Sequence, residues 1–168
     1  MKNNGLRLLL LCLFATSGFA QVIKGTYAIK NSQTGLVLRV QDAQKANGTP
    51  IVSYSPVNWK CVTWDFRHVD GNTYQLRNLF TNKTLQSTAA SPTAGVSLEQ
   101  QPLTPLQTNQ AYEFLPAGKD SYRIRLKGTE LYITPTEGVG AVNSKVILTG
   151  KTASTNQIWS IYQQEPTM

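Results

Sequence analysis

Thiols and imidazoles are nearly missing from this chain of 168 residues, which holds two cysteines and one histidine. Cys12 lies in an apolar run at the N-terminus, so Cys61 has no disulfide partner in the rest of the chain, and no Cys/His cluster can hold a metal. No metal or other cofactor is expected. A nucleophile and base made from Cys61 and His68 would also need an orienting group and oxyanion donors, and the surrounding residues present neither. The chain is therefore expected not to be an enzyme. Charge is sparse too, at 15% of residues, and acids are the scarcer sign, 9 against 16 bases. Apolar runs long enough to span a bilayer are absent, the longest being Leu8 to Ala15. Prolines at 50, 56, 92, 102, 105 and 135 are spread so widely that no long helix fits between them.

The N-terminus has Lys2 and Arg7, then the apolar run, then small residues up to Ala20, the layout of a secretory signal peptide over residues 1–20. Leu9, Leu10 and Leu11 lack the small residue that a lipoprotein cleavage site places before its cysteine, so Cys12 is not read as a lipid anchor. The expected product is one domain over residues 21–168, secreted or periplasmic, with a net charge of about +5. Nucleic acid is not an expected partner, because the basic residues are not interleaved with aromatics.

One pattern recurs three times. Tyr27-Ala28-Ile29-Lys30, Tyr74-Gln75-Leu76-Arg77 and Tyr122-Arg123-Ile124-Arg125 alternate apolar with polar residues at an interval of 47 or 48. Thr63-Trp64-Asp65-Phe66, Ala111-Tyr112-Glu113-Phe114 and Ile158-Trp159-Ser160-Ile161 close each copy at the same interval. Alternation predicts half-buried strands, and a fixed period of this length predicts a repeat architecture. Further short strands are expected at Leu36–Val40, Ile51–Tyr54, Val96–Leu98, Leu131–Thr134 and Val146–Leu148, with turns at Asn47-Gly48, Asp70-Gly71, Asn82-Lys83 and Lys119-Asp120. Three copies, spanning about residues 25–70, 71–118 and 119–163, are too few for most propellers and predict a compact pseudo-threefold barrel. Lys30, Arg77 and Arg125 share one register, which predicts a basic ring on one surface.

Asn156-Gln157-Ile158-Trp159, echoed by Asn109-Gln110-Ala111-Tyr112, resembles the Gln-x-Trp signature of the ricin-type lectins. Gly25-Thr26-Tyr27, the Thr34-Gly35 turn and Ala46-Asn47-Gly48-Thr49-Pro50-Ile51 resemble the first copy in bacterial members of that family. The resemblance covers residues 21–168 and implies an all-β fold, a β-trefoil of three pseudo-symmetric repeats of four strands each. It also implies a sugar site within a repeat, built from an Asp after the first loop, a stacking aromatic ring and an Asn or Gln by the closing motif.

At the Asp place the copies carry Arg39, Gln86 and Tyr132, so none keeps the carboxylate. The first copy alone has a ring at the stacking place, Tyr54, with Trp59 near it in a Ser-Pro-Asn loop and Asp42 as a nearby acid. The expected ligand site is therefore Arg39, Asp42, Tyr54 and Trp59, a non-standard carbohydrate site in which Arg39 favours an acidic glycan. Gln110 and Gln157 are expected to bind backbone rather than ligand. The alternative is a β-trefoil acting on a protein partner through the Ser87–Asn109 loops, as trefoil protease inhibitors and toxin subunits do, or a scaffold that has lost its sugar.

Overall fold

The three tyrosine-led segments form strands because their apolar side chains fall on alternate positions and can all face one core. A computed structural model describes residues 21–136 and 141–167. The expected signal peptide over residues 1–20 thus lies outside the described residues. In chain order the strands are β1 (Thr26–Asn31), β2 (Val37–Val40), β3 (Ile51–Tyr54), β4 (Trp64–Asp70), β5 (Thr73–Asn78), β6 (Lys83–Ser87), β7 (Leu98–Pro102), β8 (Tyr112–Gly118), β9 (Ser121–Leu126), β10 (Leu131–Pro135), β11 (Val146–Gly150) and β12 (Trp159–Gln163).

Six strands close a ring by antiparallel pairing in the order β1, β4, β5, β8, β9, β12 and back to β1. The other six make three hairpins, β2–β3, β6–β7 and β10–β11. Bridges from Pro50 to Glu99, Val52 to Lys145 and Ser97 to Ile147 join these hairpins into a triangular cap. A closed ring with such a cap, four strands from each third of the chain, is the β-trefoil that the family resemblance implied. Closure leaves the barrel without an unpaired edge.

The closing aromatics show why they must recur. Trp64, Tyr112 and Trp159 are fully buried. Each donates to a carbonyl of its own hairpin: Trp64 Nε1 to Leu38 at 3.2 Å, Tyr112 Oη to Leu85 at 3.3 Å and Trp159 Nε1 to Ile133 at 3.0 Å. A large apolar body with one polar tip suits this place, so Tyr can stand where the other copies have Trp. The same contacts align the hairpins and correct one sequence assignment. Leu38, Leu85 and Ile133 are equivalent, so the third-copy counterpart of Arg39 is Thr134 and not Tyr132. Leu131 and Ile133 are both apolar and two apart, which permits a slip of one strand period.

At the opposite end of the barrel, Tyr27, Phe66, Tyr74, Phe114 and Tyr122 touch in sequence with ring centroids 5.0 to 5.6 Å apart. Val22 and Ile23 pack against them, and Ile23 N donates to Tyr74 Oη at 3.0 Å. The strand expected at Val96–Leu98 instead begins at Leu98 and runs through Glu99, Gln100 and Gln101. Gln100 can be buried there because its Nε2 donates to the carbonyls of Gln44 at 2.7 Å and Ala46 at 2.6 Å.

Burial pushes the Tyr112 phenol well above its ordinary ionisation range. Its stabilising contribution is therefore complete below the unfolded pKa of about 10 and is lost as pH rises above it. Tyr112→Phe is expected to lower stability at neutral pH by about 1 kcal/mol through the lost hydrogen bond. It should also flatten the alkaline fall in stability, measured by urea unfolding at a series of pH values. An unchanged alkaline slope would assign that fall to other groups.

Candidate functional site

Antiparallel pairing places Arg39 opposite Val52 and Val37 opposite Tyr54. Arg39 and Tyr54 are thus diagonal neighbours on one face of the β2–β3 hairpin, within reach of long side chains. The Arg39 guanidinium carbon lies 3.9 Å from the centroid of the Tyr54 ring. Trp59, in the loop after β3, sets its ring 6.3 Å from Tyr54 with the planes tilted by 31°. Asp42 Oδ1 lies 3.7 Å from Arg39 Nη1. The four residues singled out in the sequence therefore meet as one stack of carboxylate, guanidinium, phenol and indole.

The stack differs in one respect from the arrangement the resemblance implies. Arg39, only 8% exposed, covers a face of Tyr54, so Tyr54 supports a cation while Trp59, 37% exposed, turns an aromatic ring to solvent. Arg39 Nε is buried with no hydrogen-bond partner. Asp42 and the following Ala43 both have left-handed backbone, φ 49° and 52°. Such conformations cost non-glycine residues roughly 1–3 kcal/mol each.

The closing glutamines of the other two repeats are consumed internally. Gln110 Nε2 donates to Gln86 Oε1 at 2.8 Å and to the Pro102 carbonyl at 2.9 Å, and Gln110 Oε1 accepts from Thr104 N at 2.9 Å. Gln157 Nε2 donates to Thr149 Oγ1 at 2.9 Å and to the Gly150 carbonyl at 2.8 Å, and Gln157 Oε1 accepts from Thr152 N at 2.8 Å. Both glutamines hold backbone, as their place beside the closing strand led us to expect. Gln101 and Thr149 stand where the first repeat has Tyr54, by their pairing with Thr84 and Tyr132.

In the first repeat Val62 replaces the closing glutamine. Its work is done by Gln164, past the end of β12. Gln164 Nε2 donates to the Val57 carbonyl at 2.9 Å and Gln164 Oε1 accepts from Thr63 Oγ1 at 2.7 Å. Sequence reasoning missed this residue. Its signal was the gap at Val62, which leaves a loop carbonyl in need of a donor.

The expected basic ring is largely neutralised. Arg77 pairs with its cross-strand partner Asp65 at 2.9 Å, and Arg125 with its cross-strand partner Glu113 at 2.7 Å and with Glu130 at 2.7 Å. Lys127 binds Asp70 at 2.8 Å, a contact that holds the Asp70 carboxyl below the usual carboxylate range. His68 contacts the Gly71 carbonyl at 3.0 Å and packs on Tyr74. Cys61 is buried and free. Among the described residues no cluster of His, Cys, Asp and Glu can hold a metal, and no helix is long and apolar enough to cross a membrane.

Residues 60–149 match the family described as ricin-type beta-trefoil lectin domain-like. The match begins just after Trp59, so Arg39, Asp42, Tyr54 and Trp59 all precede it. The fold is similar to the designed threefold-symmetric protein ThreeFoil, at 19% identity and TM-score 0.78 over 83% of this chain and 99% of that one. It is similar to the Rhizoctonia solani agglutinin, at 21% identity and TM-score 0.77 over 86% and 99%. It is also similar to the Macrolepiota procera ricin B-like lectin, solved in complex with lactose, at 21% identity and TM-score 0.70 over 86% and 99%. These identities establish the fold alone. No curated protein matches by sequence.

Gln164→Ala is expected to cost about 1–3 kcal/mol, because it strands the Val57 carbonyl, while the Thr63 hydroxyl keeps the Trp59 carbonyl as its acceptor at 2.8 Å. Adding Thr63→Val should deepen that loss, since the Trp59 carbonyl then loses its donor too. Equilibrium unfolding in urea measures both, and a Gln164→Ala variant as stable as the parent would show that the tail plays no such part.

Proposed function

Because the chain belongs to the ricin-type β-trefoil lectin domain-like family, we propose that it is an exported, non-catalytic carbohydrate-binding module whose site lies in the first repeat. The observation that carries this is the contrast among repeats. The closing glutamines of the second and third are held within their own repeats, whereas in the first an exposed indole stands beside a carboxylate and a guanidinium. A pyranose has a weakly polar C–H face and vicinal hydroxyls, which such a ring and such charged groups match. Trp59 supplies the ring, Asp42 accepts from hydroxyls, and Arg39 donates while Tyr54 holds its plane in place. Export rests on the N-terminal layout of residues 1–20, and sequencing the N-terminus of the product outside the cytoplasm tests it.

One observation favours the protein-binding alternative. Leu106, in the Ser87–Asn109 segment, is 74% exposed and has left-handed backbone, φ 61°.

A broad glycan array is expected to show selective binding that Tyr54→Ala weakens tenfold or more, because Arg39 and Trp59 both lose their support. A blank array would overturn the proposal. Capture of a protein partner that Leu106→Asp abolishes would then assign the Ser87–Asn109 loops as the contact.

A further inference from the structure

The threefold fold makes the same inter-repeat cleft three times, and the copies are not alike. The first is a pocket of about 280 Å³ lined by Ala43, Trp59, Lys60, Cys61 and Phe80. The last of these comes from the β5–β6 turn of the second repeat. A shift of 47 or 48 residues turns Ala43, Lys60, Cys61 and Phe80 into Ala90, Thr108, Asn109 and Gly128, which line the second cleft. The residues equivalent to Trp59 and Phe80 there are Gln107 and Gly128, so that cleft has no ring from either wall. In the third, Gln33 stands at the place of Phe80 and its Oε1 accepts from Ser154 Oγ at 3.3 Å and Thr155 Oγ1 at 3.0 Å, which ties the walls together. Among the described residues, only the first cleft is both open and aromatic.

Its edge is cationic. Lys60 lines it, Lys45 Nζ lies 4.9 Å from the centroid of the Phe80 ring, and Lys83 Nζ donates to the Lys45 carbonyl. Among the described residues none of these ammonium groups is in an ion pair. The nearby acids are engaged elsewhere, Asp42 on Arg39 and Glu99 by a hydrogen bond from Gln101. Two rings at 37% and 36% exposure would spend their apolar faces on water unless a ligand covers them. Like charges gathered on one edge select an anion.

We propose that this cleft takes an acidic sugar residue, uronate or sulfated, with Trp59 and Phe80 against its C–H face and Lys45, Lys60 and Lys83 around its anionic group. This rests on the carbohydrate-binding reading above and extends it. The stacking platform has moved from Tyr54, whose face Arg39 occupies, to the pair of rings across the repeat boundary. Arg39 and Asp42 form one end of the site rather than its centre.

The full chain is titrated by calorimetry with tetragalacturonate, a sulfated galactose tetrasaccharide and neutral galactotetraose, at low and high salt. Trp59 is the exposed one of three tryptophans, Trp64 and Trp159 being fully buried, so acrylamide quenching of the unmodified protein reports its shielding directly. The expected result is binding of one or both acidic probes at least tenfold tighter than the neutral one, weakened by salt, with Trp59 shielded. Comparison of the two acidic probes tells carboxylate from sulfate. Trp59→Ala and Phe80→Ala should each lose tenfold or more, and Lys45→Gln and Lys60→Gln roughly two- to fivefold each. Binding of galactotetraose as tight as the acidic probes overturns this inference and leaves the first-repeat reading in place. Unchanged binding by Phe80→Ala, with loss in Trp59→Ala and Tyr54→Ala, does the same. Binding of none of the three saccharides overturns this inference, and the glycan array decides the first-repeat reading separately.

Discussion

The trefoil hangs on a hydrogen bond made three times, from a buried aromatic head to the carbonyl of its own hairpin. Trp64, Tyr112 and Trp159 each begin a barrel strand, and Leu38, Leu85 and Ile133 each belong to the cap. The bond therefore ties barrel to cap in each repeat and fixes how far each hairpin leans over the axis. An aliphatic residue there would fill the volume but leave that carbonyl buried without a donor, at a cost of about 1–3 kcal/mol. With the frame set this way, the loops above it can differ among repeats without disturbing the core.

That freedom is visible in how each repeat satisfies its closing loop. Two use the glutamine of the Gln-x-Trp motif, whereas the first borrows Gln164 from the tail. Satisfying a buried carbonyl is a requirement on geometry, and the donor's place in the chain is immaterial. The first repeat is released from the motif at Val62, and its neighbour Cys61 contributes an apolar wall where the other copies carry Asn109 and Asn156. Loss of the family's polar residues and gain of an apolar cleft are thus two sides of one change.

Most of the barrel was legible in the sequence, because Tyr27, Tyr74 and Tyr122 and the three closing aromatics report burial by period alone. In the cap, β6 was not foreseen and β7 was expected only up to Leu98, since Glu99, Gln100 and Gln101 look like loop residues until Gln100 finds the Gln44 and Ala46 carbonyls. Tyr132 was misplaced because alternation marks the face of a strand without marking its start. At the site, Arg39, Asp42, Tyr54 and Trp59 were singled out as a group, and the structure brings them into contact. What their spacing could not reveal was that the Arg39 guanidinium sits over the Tyr54 ring, which follows from the register of one hairpin. Phe80 was invisible for a different reason. It belongs to another repeat, and only the turn of the trefoil about its axis brings it to Trp59.

The ring of six strands is completed by β1 and β12, with Tyr27 opposite Gln163. The first strand to leave the ribosome must wait for the last, so the barrel has no closed form until nearly the whole chain is present. Contacts of such sequence separation make folding slow, in the range of milliseconds to seconds for β-rich topologies. Under the export proposed above, such a delay would keep the polypeptide threadable during transport and leave the pairing that locks it until the chain has crossed.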